Sequence, residues 1–311
     1  MSALHEKLVL RGVVVPAVTP CHEDNSVNYE GLRDNTACAV QDGIVTGRGV
    51  LLVVGGGGEL PFLTHEERRK CIEVAVKAAD GKVPVVGGVQ DNGTAICIDL
   101  VKQAQDAGAL GVQLGPPCLY DNHTEDDILR FYEAVAAEVE IAILAYNTWW
   151  TSLNMTSDLL VKLAAIDNVV GAKWSSPAIY DYLRGYRLAA NKLAMIDNQG
   201  MHVQAHVMGA VGFVSNTGDF WPQHDLELWD MLERREYEKV PEYLSKLSWP
   251  FYEFRGRISG RTGGEAAPKK ATAELVGRAG GPPRPPTRPL TAEEREELRR
   301  IFVAGGVPGL V

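Results

Sequence analysis

From Arg11 to about Arg235, short runs of β-branched and aliphatic residues alternate with longer stretches in which apolar residues return every three or four positions. The first pattern is that of a strand buried on both faces and the second that of a helix with one buried stripe. Their alternation predicts repeated βα units around a parallel sheet. Strands are expected at Gly12 to Pro16, Val50 to Val54, Val83 to Val86, Gly111 to Leu114, Ile141 to Tyr146, Val169 to Lys173, Leu193 to Ile196 and Gly212 to Ser215. Helices are expected to begin near Asn28, Thr64, Thr94, Thr124, Thr156, Pro177, Gly200 and Gln223. Thr64-His65-Glu66-Glu67, Thr124-Glu125-Asp126-Asp127 and Thr291-Ala292-Glu293-Glu294 read as capping boxes that start helices. Eight units favour a closed (β/α)8 TIM barrel over an open sheet.

After Arg235 the pattern turns purely helical, with helices expected over Glu236 to Phe254, Gly264 to Gly277 and Thr291 to Val303. The expected organisation is a barrel over residues 1–235 and a C-terminal helical extension, residues 236–311, packed on it. Two connections stand out there. Arg255 to Arg261 reads as a basic loop, and Gly280 to Pro289 as a semi-rigid, proline-rich connector rather than a polyproline ligand.

Composition narrows the function classes. The 311 residues are 45% hydrophobic with a formal charge of −9, enough for a large core and the wrong sign for a general nucleic-acid binder. No apolar run reaches the roughly 18 to 20 residues of a membrane helix, and the start at Met1 lacks a signal-peptide layout, so a cytoplasmic protein acting on small molecules is expected. The five cysteines are scattered without CxxC spacing, which points to reduced thiols. His202 and His206 have the i, i+4 spacing of a helical metal site, but no HExxH pattern accompanies them and no metal is expected.

The candidate chemistry centres on Lys173, the single charge in Val169-Val170-Gly171-Ala172-Lys173-Trp174. An amine at the end of a buried strand is costly to keep protonated, and a neutral lysine can add to a carbonyl and form a Schiff base. The alternative is a lysine that snorkels to solvent at the strand end. In such a barrel the C-terminal strand ends form one mouth, which gathers Gly55-Gly56-Gly57-Gly58-Glu59, Pro116-Pro117-Cys118-Leu119-Tyr120, Tyr146-Asn147 and Lys173. A glycine run there is either a flexible turn or a nest of backbone N–H groups suited to a carboxylate.

With the opening Gly12-Val13-Val14-Val15-Pro16-Ala17-Val18-Thr19-Pro20 and Leu63-Thr64-His65-Glu66-Glu67-Arg68, these segments resemble the dihydrodipicolinate synthase and N-acetylneuraminate lyase family of class I Schiff-base aldolases over nearly the whole length. The resemblance implies that Lys173 forms an imine with a 2-oxo acid such as pyruvate, that Tyr146 shuttles protons, and that no cofactor is needed beyond that covalent imine. It also implies that the turn of Gly56, Gly57 and Gly58 binds the carboxylate, and that the protein is a homotetramer or homodimer. Most members carry hydroxyl residues where this chain has Gly56 and Gly57, and the relay they supply is absent; water or Tyr120 would substitute.

Substrate choice is read from the departures. Dihydrodipicolinate synthase itself places an arginine for a second carboxylate where this chain has Thr151, and the sialic-acid lyases place acids where it has Asp197-Asn198-Gln199. Trp149, Thr151, Asn198, Gln199 and Val214 are the remaining candidate substrate contacts. With Glu59, Asp121, Asp197 and Asp219 all expected on mouth-side loops, the substrate tail is expected to be neutral or cationic. The expected reaction is aldol cleavage or formation of a 4-hydroxy-2-oxo acid, giving pyruvate and an aldehyde. Three alternatives stay open: a dehydratase of 3-deoxy-2-oxo sugar acids, dihydrodipicolinate synthase, and a non-catalytic 2-oxo acid binding barrel.

Overall fold

In the computed structural model, which describes Leu4 and residues 8–118, 123–150, 153–262 and 264–311, all eight apolar runs are strands. They are β1 (Gly12–Pro16), β2 (Gly49–Val53), β3 (Val85–Val89), β4 (Gly111–Leu114), β5 (Ala142–Tyr146), β6 (Val169–Trp174), β7 (Ala194–Asp197) and β8 (Gly212–Val214). Each pairs in parallel with its sequence neighbour, and β8 returns to β1 to close the barrel. Alternation assigns the two faces. Val14, Val50, Leu52, Val86, Leu144, Val170 and Ile196 fill the interior, where Leu8 and Leu10 join them. Val13, Val15, Leu51 and Val53 pack outward in the cluster that includes the surrounding helices.

Those helices are α1 (Tyr29–Gln41), α2 (His65–Ala79), α3 (Thr94–Asp106), α4 (Glu125–Ala137), α5 (Ser157–Leu163), α6 (Ile179–Ala189), α7 (His202–Val207) and α8 (Pro222–Glu233). Thr64, Thr124 and Thr291 each accept from the backbone N–H three residues on, and Glu67, Asp127 and Glu294 in turn accept from the cap N–H, so all three capping boxes form. Among the described residues no helix is long and apolar enough to cross a membrane.

The C-terminal helices differ from expectation. The single helix expected over Glu236 to Phe254 is instead a 3-10 turn (Tyr237–Lys239), α9 (Val240–Lys246) and α10 (Ser248–Thr262). Pro241 and Pro250 lie in the first turns of the two helices, where a missing N–H is harmless, whereas either would break one continuous helix. Arg255 to Arg261 is not a loop but part of α10. Phe251, Phe254, Ile258 and Thr262 recur at helical spacing and are buried, the first three with Phe220, Leu298 and Phe302. Next come α11 (Ala266–Leu275), buried from Ala266 through Ala273, and α12 (Ala292–Gly305). The proline-rich connector is tied down by Arg284, which donates to Glu67 through both terminal nitrogens at 2.8 and 2.5 Å and to the Phe62 carbonyl at 2.8 Å.

Candidate active site

Lys173 and Tyr146 face each other because of a one-residue irregularity. Ile143 pairs with Val169, but Leu144 pairs with Gly171, so Val170 is an extra residue in β6 and Tyr146 is opposite Lys173 instead of Ala172. The Lys173 amine then sits 4.1 Å from the centre of the Tyr146 ring. The lysine is only 6% exposed. Burial pushes its pKa down to about 7; the Glu265 carboxylate opposes this, and the Lys269 and Arg255 cations push it further down. Burial, and after it Glu265, push the Tyr146 hydroxyl up, while an Asn198 side-chain hydrogen bond and Arg255 act the other way, so the phenol is protonated at neutral pH.

Asn147 fixes the ends of both strands. Its fully buried amide donates to Asn154 Oδ1 (2.9 Å), the Met155 carbonyl (3.1 Å) and the Ser175 carbonyl (2.7 Å), and its Oδ1 accepts from Met155 N–H (3.0 Å). The residue after the tyrosine therefore clamps the β5 loop to the residue that follows β6.

The glycine run is a built turn. Val54 carries φ of +60°, which is strained for a β-branched residue, and Glu59 closes the segment at +61°. The Val54 carbonyl is accommodated by Gly88 of β3, where any Cβ would lie 2.0 Å from that oxygen. Between them Gly56–Gly58 forms a 3-10 turn whose first N–H groups have no partner within the turn. Gly57 has a separate reason to be glycine: a Cβ there would meet Lys269 Cδ, Cε and Nζ at 2.6, 2.9 and 3.2 Å.

A cavity of about 440 Å³ opens at this end of the barrel. Of the residues singled out in the sequence, Gly56, Gly57, Tyr146, Lys173, Asn198, Gln199 and Val214 line it. Gly58 does not; its carbonyl accepts from Thr19 Oγ1 at 2.8 Å, away from the opening. Trp149 does not either. It packs edge-on against Trp150, and Trp150 is the indole that reaches the cavity and the Tyr146 ring. Tyr120, Asp121 and Thr151 lie outside the described residues.

Sequence reasoning missed a whole wall. Asn216 follows β8, and Trp249, Tyr252, Arg255, Glu265 and Lys269 come from the C-terminal helices and their connection. Arg255 donates to Asn216 Oδ1, stacks over Tyr252 at 5.4 Å and lies 3.9 Å from Glu265. The signal for Lys269 was present: two adjacent lysines in the small-residue run Ala266-Ala267-Pro268-Lys269-Lys270-Ala271, which leaves no polar face for them.

The acids are placed differently from expectation. Glu59 is buried against Lys270, and Asp219 is paired with Lys269. Asp197 is buried behind β7, accepting from Tyr182 Oη at 2.7 Å with His202 Nδ1 at 3.0 Å. None of these three lines the cavity, so the charge pattern behind a cationic substrate tail does not hold for them. Among the described lining residues the charged groups are Lys173, Arg255 and Lys269 against Glu265. His206 hydrogen-bonds Tyr237 and Glu233, and among the described residues no group of three or more His, Cys, Asp or Glu could hold a metal ion.

The sequence model of the Dihydrodipicolinate synthetase family matches residues 9–304. A 4-hydroxy-tetrahydrodipicolinate synthase of Methanopyrus kandleri is 29% identical over 297 residues, 94% of this chain and 95% of that protein. The dihydrodipicolinate synthase of Aquifex aeolicus superposes with a TM-score of 0.85 at 25% identity, covering 96% of this chain and 99% of that one. A chloride-inhibited dihydrodipicolinate synthase of Acinetobacter baumannii, solved in complex with pyruvate, gives 0.83 at 25% identity with coverage of 96% and 99%.

Proposed function

Because the chain belongs to the dihydrodipicolinate synthetase family, we propose that it is an imine-forming lyase that makes or breaks a carbon–carbon bond next to pyruvate. The observation that carries the reading is Lys173, a buried amine with its pKa lowered to about 7, 4.1 Å from the Tyr146 ring. A neutral fraction is then available near pH 7, as a nucleophilic lysine requires.

The Lys173 amine adds to C2 of the 2-oxo acid, and the carbonyl oxygen leaves as water, giving a protonated imine. In cleavage of a 4-hydroxy-2-oxo acid, the 4-hydroxyl loses its proton and the C3–C4 pair moves into the imine. An aldehyde departs and an enamine remains. Protonation at C3 and hydrolysis release pyruvate and restore the amine. Tyr146, whose ring lies 4.1 Å from the amine and whose hydroxyl is kept protonated by burial, carries these protons. The turn at Gly56 and Gly57 faces the same space and receives the carboxylate.

Arg255, Asn216 and Tyr252 on the outer wall suit an aldehyde bearing hydroxyl or carboxylate groups better than a cationic one. The relatives' name, a synthase, supports the synthetic direction as a second reading. The test is incubation with pyruvate, borohydride reduction and peptide mapping by mass spectrometry. A pyruvyl adduct at Lys173 that is lost in Lys173→Ala supports the reading, and its absence from folded wild-type protein refutes it. Release of pyruvate from 4-hydroxy-2-oxo acids then distinguishes cleavage from dehydration.

A further inference from the structure

Resting on the imine reading, we propose that Lys269 is a second functional lysine of the site, whose ammonium holds the 2-oxo acid carboxylate over the Gly56–Gly57 turn. Its side chain is 2% exposed, so its charge needs partners. It has two, the Pro16 carbonyl at 2.8 Å and the Asp219 carboxylate. An ammonium has three donors, and Lys269 lines the same cavity as Lys173, which leaves a donor for an anion there. The fit to Gly57 is mutual. The volume that the first atoms of a side chain at residue 57 would occupy is filled by the end of Lys269, so the cation lies against the turn itself.

The neighbouring Lys270 shows what a purely structural lysine looks like in this helix. It pairs with Glu59, donates to the Pro282 carbonyl at 2.8 Å, contacts Cys21 Sγ at 3.2 Å and does not line the cavity. Lys269 differs by lining the cavity that Lys173 also lines, and its charge acts on that amine. Among the described residues, the ionisable groups around Lys173 are Tyr146 from β5, Arg255 from α10, Glu265 before α11 and Lys269 from α11. Asp219, after β8, faces Lys269. Removing the Lys269 cation raises the Lys173 pKa, because one charge opposing its protonation is gone.

The experiment compares borohydride trapping of pyruvate and of its neutral methyl ester in the wild type and in Lys269→Met/Asp219→Asn, which removes both buried charges together. The control is Lys270→Met/Glu59→Gln. Thermal melts check that each variant is folded. The wild type is expected to trap pyruvate at a concentration about tenfold or more below that needed for the ester, since a carboxylate meets a fixed cation in a dry site. The Lys269 variant is expected to lose that preference and to show its trapping midpoint shifted to higher pH, with the control unchanged. If the Lys269 variant does not fold, Gly57→Ala, which pushes into the end of the Lys269 side chain, is expected to show the same loss of preference. A folded variant of either kind that keeps the wild-type preference and midpoint overturns the proposal and leaves the imine reading standing. Absence of any adduct on the wild type overturns both.

Discussion

Tyr146 and Lys173 are partners in the β5–β6 register, and the lysine amine rests 4.1 Å from the centre of the phenol ring. Val170, the extra residue in β6, creates this pairing, so the geometry is built into the sheet and does not depend on a loop. The two residues are expected to separate cleanly in function. Tyr146→Phe keeps the ring and the packing but removes the hydroxyl proposed to carry protons. Pyruvate trapping at Lys173 should survive in this variant while turnover of a 4-hydroxy-2-oxo acid falls on the order of 10²- to 10⁴-fold. Parallel loss of both would refute the assignment of Tyr146 to proton transfer.

With the Lys173 pKa lowered to about 7, the neutral amine dominates above that value. The rate of imine trapping should therefore rise through pH 7 and level off above it, whereas an ordinary lysine would continue to rise towards its usual value of about 10.4. A pH series of adduct yield at fixed short times reads this directly. A midpoint above 9 would mean that burial does not lower the pKa in solution.

Asn147 joins Asn154, Met155 and Ser175 through four hydrogen bonds in a fully buried position. Asn147→Ala would strand the carbonyl and N–H partners, at a cost of about 2 to 3 kcal/mol. Chemical denaturation should show that loss, and adduct formation at Lys173 should slow although no substrate contact has been removed. A stability unchanged within error would show that the clamp is dispensable.

The left-handed Val54 is tolerated because Gly88 leaves space for its carbonyl. Gly88→Ala places a methyl 2.0 Å from that oxygen, backbone against side chain, with no flexible atom to yield. A loss of about 3 kcal/mol or more is expected, with reduced affinity for pyruvate because the turn shifts. A variant with wild-type stability and trapping would show that the turn is not held from β3.

Arg284 holds Glu67 through two bonds at 2.8 and 2.5 Å, and this fork, ahead of the Thr64 cap bonds, holds the carboxyl down at about 2. The sign follows from the depressed value. The pair's stabilisation is complete above the ordinary carboxylate pKa of about 4.3 and is lost as pH falls through about 2. Arg284→Met should lower stability at pH 7 by about 2 kcal/mol and flatten the decline between pH 4 and 2. Identical acid melts for the two proteins would contradict this.

The barrel and the Lys173–Tyr146 pair were legible because their signals are local. A continuous apolar run such as Val169 to Ala172 marks a strand buried on both faces, and a single charge at its end marks the mouth. The direction of a strand-end side chain was not legible. Asp197 belongs to a mouth-side strand end yet turns outward to Tyr182 and His202, and no pattern within β7 distinguishes that from turning inward. The outer wall was missed because it is assembled across long separations: Lys269 meets Pro16, 253 residues away. Gly256 and Gly260 made Arg255 to Arg261 look like a loop, although the spacing of Phe251, Phe254, Ile258 and Thr262 carries the helical period.

All eight strands are complete by Val214, whereas Arg255, Glu265 and Lys269, whose charges act on Lys173, come later in the chain. Where the amine sits and how readily it loses its proton are thus set by separate stretches of the chain, so substitutions in α10 and α11 can retune the amine without disturbing the sheet that places it.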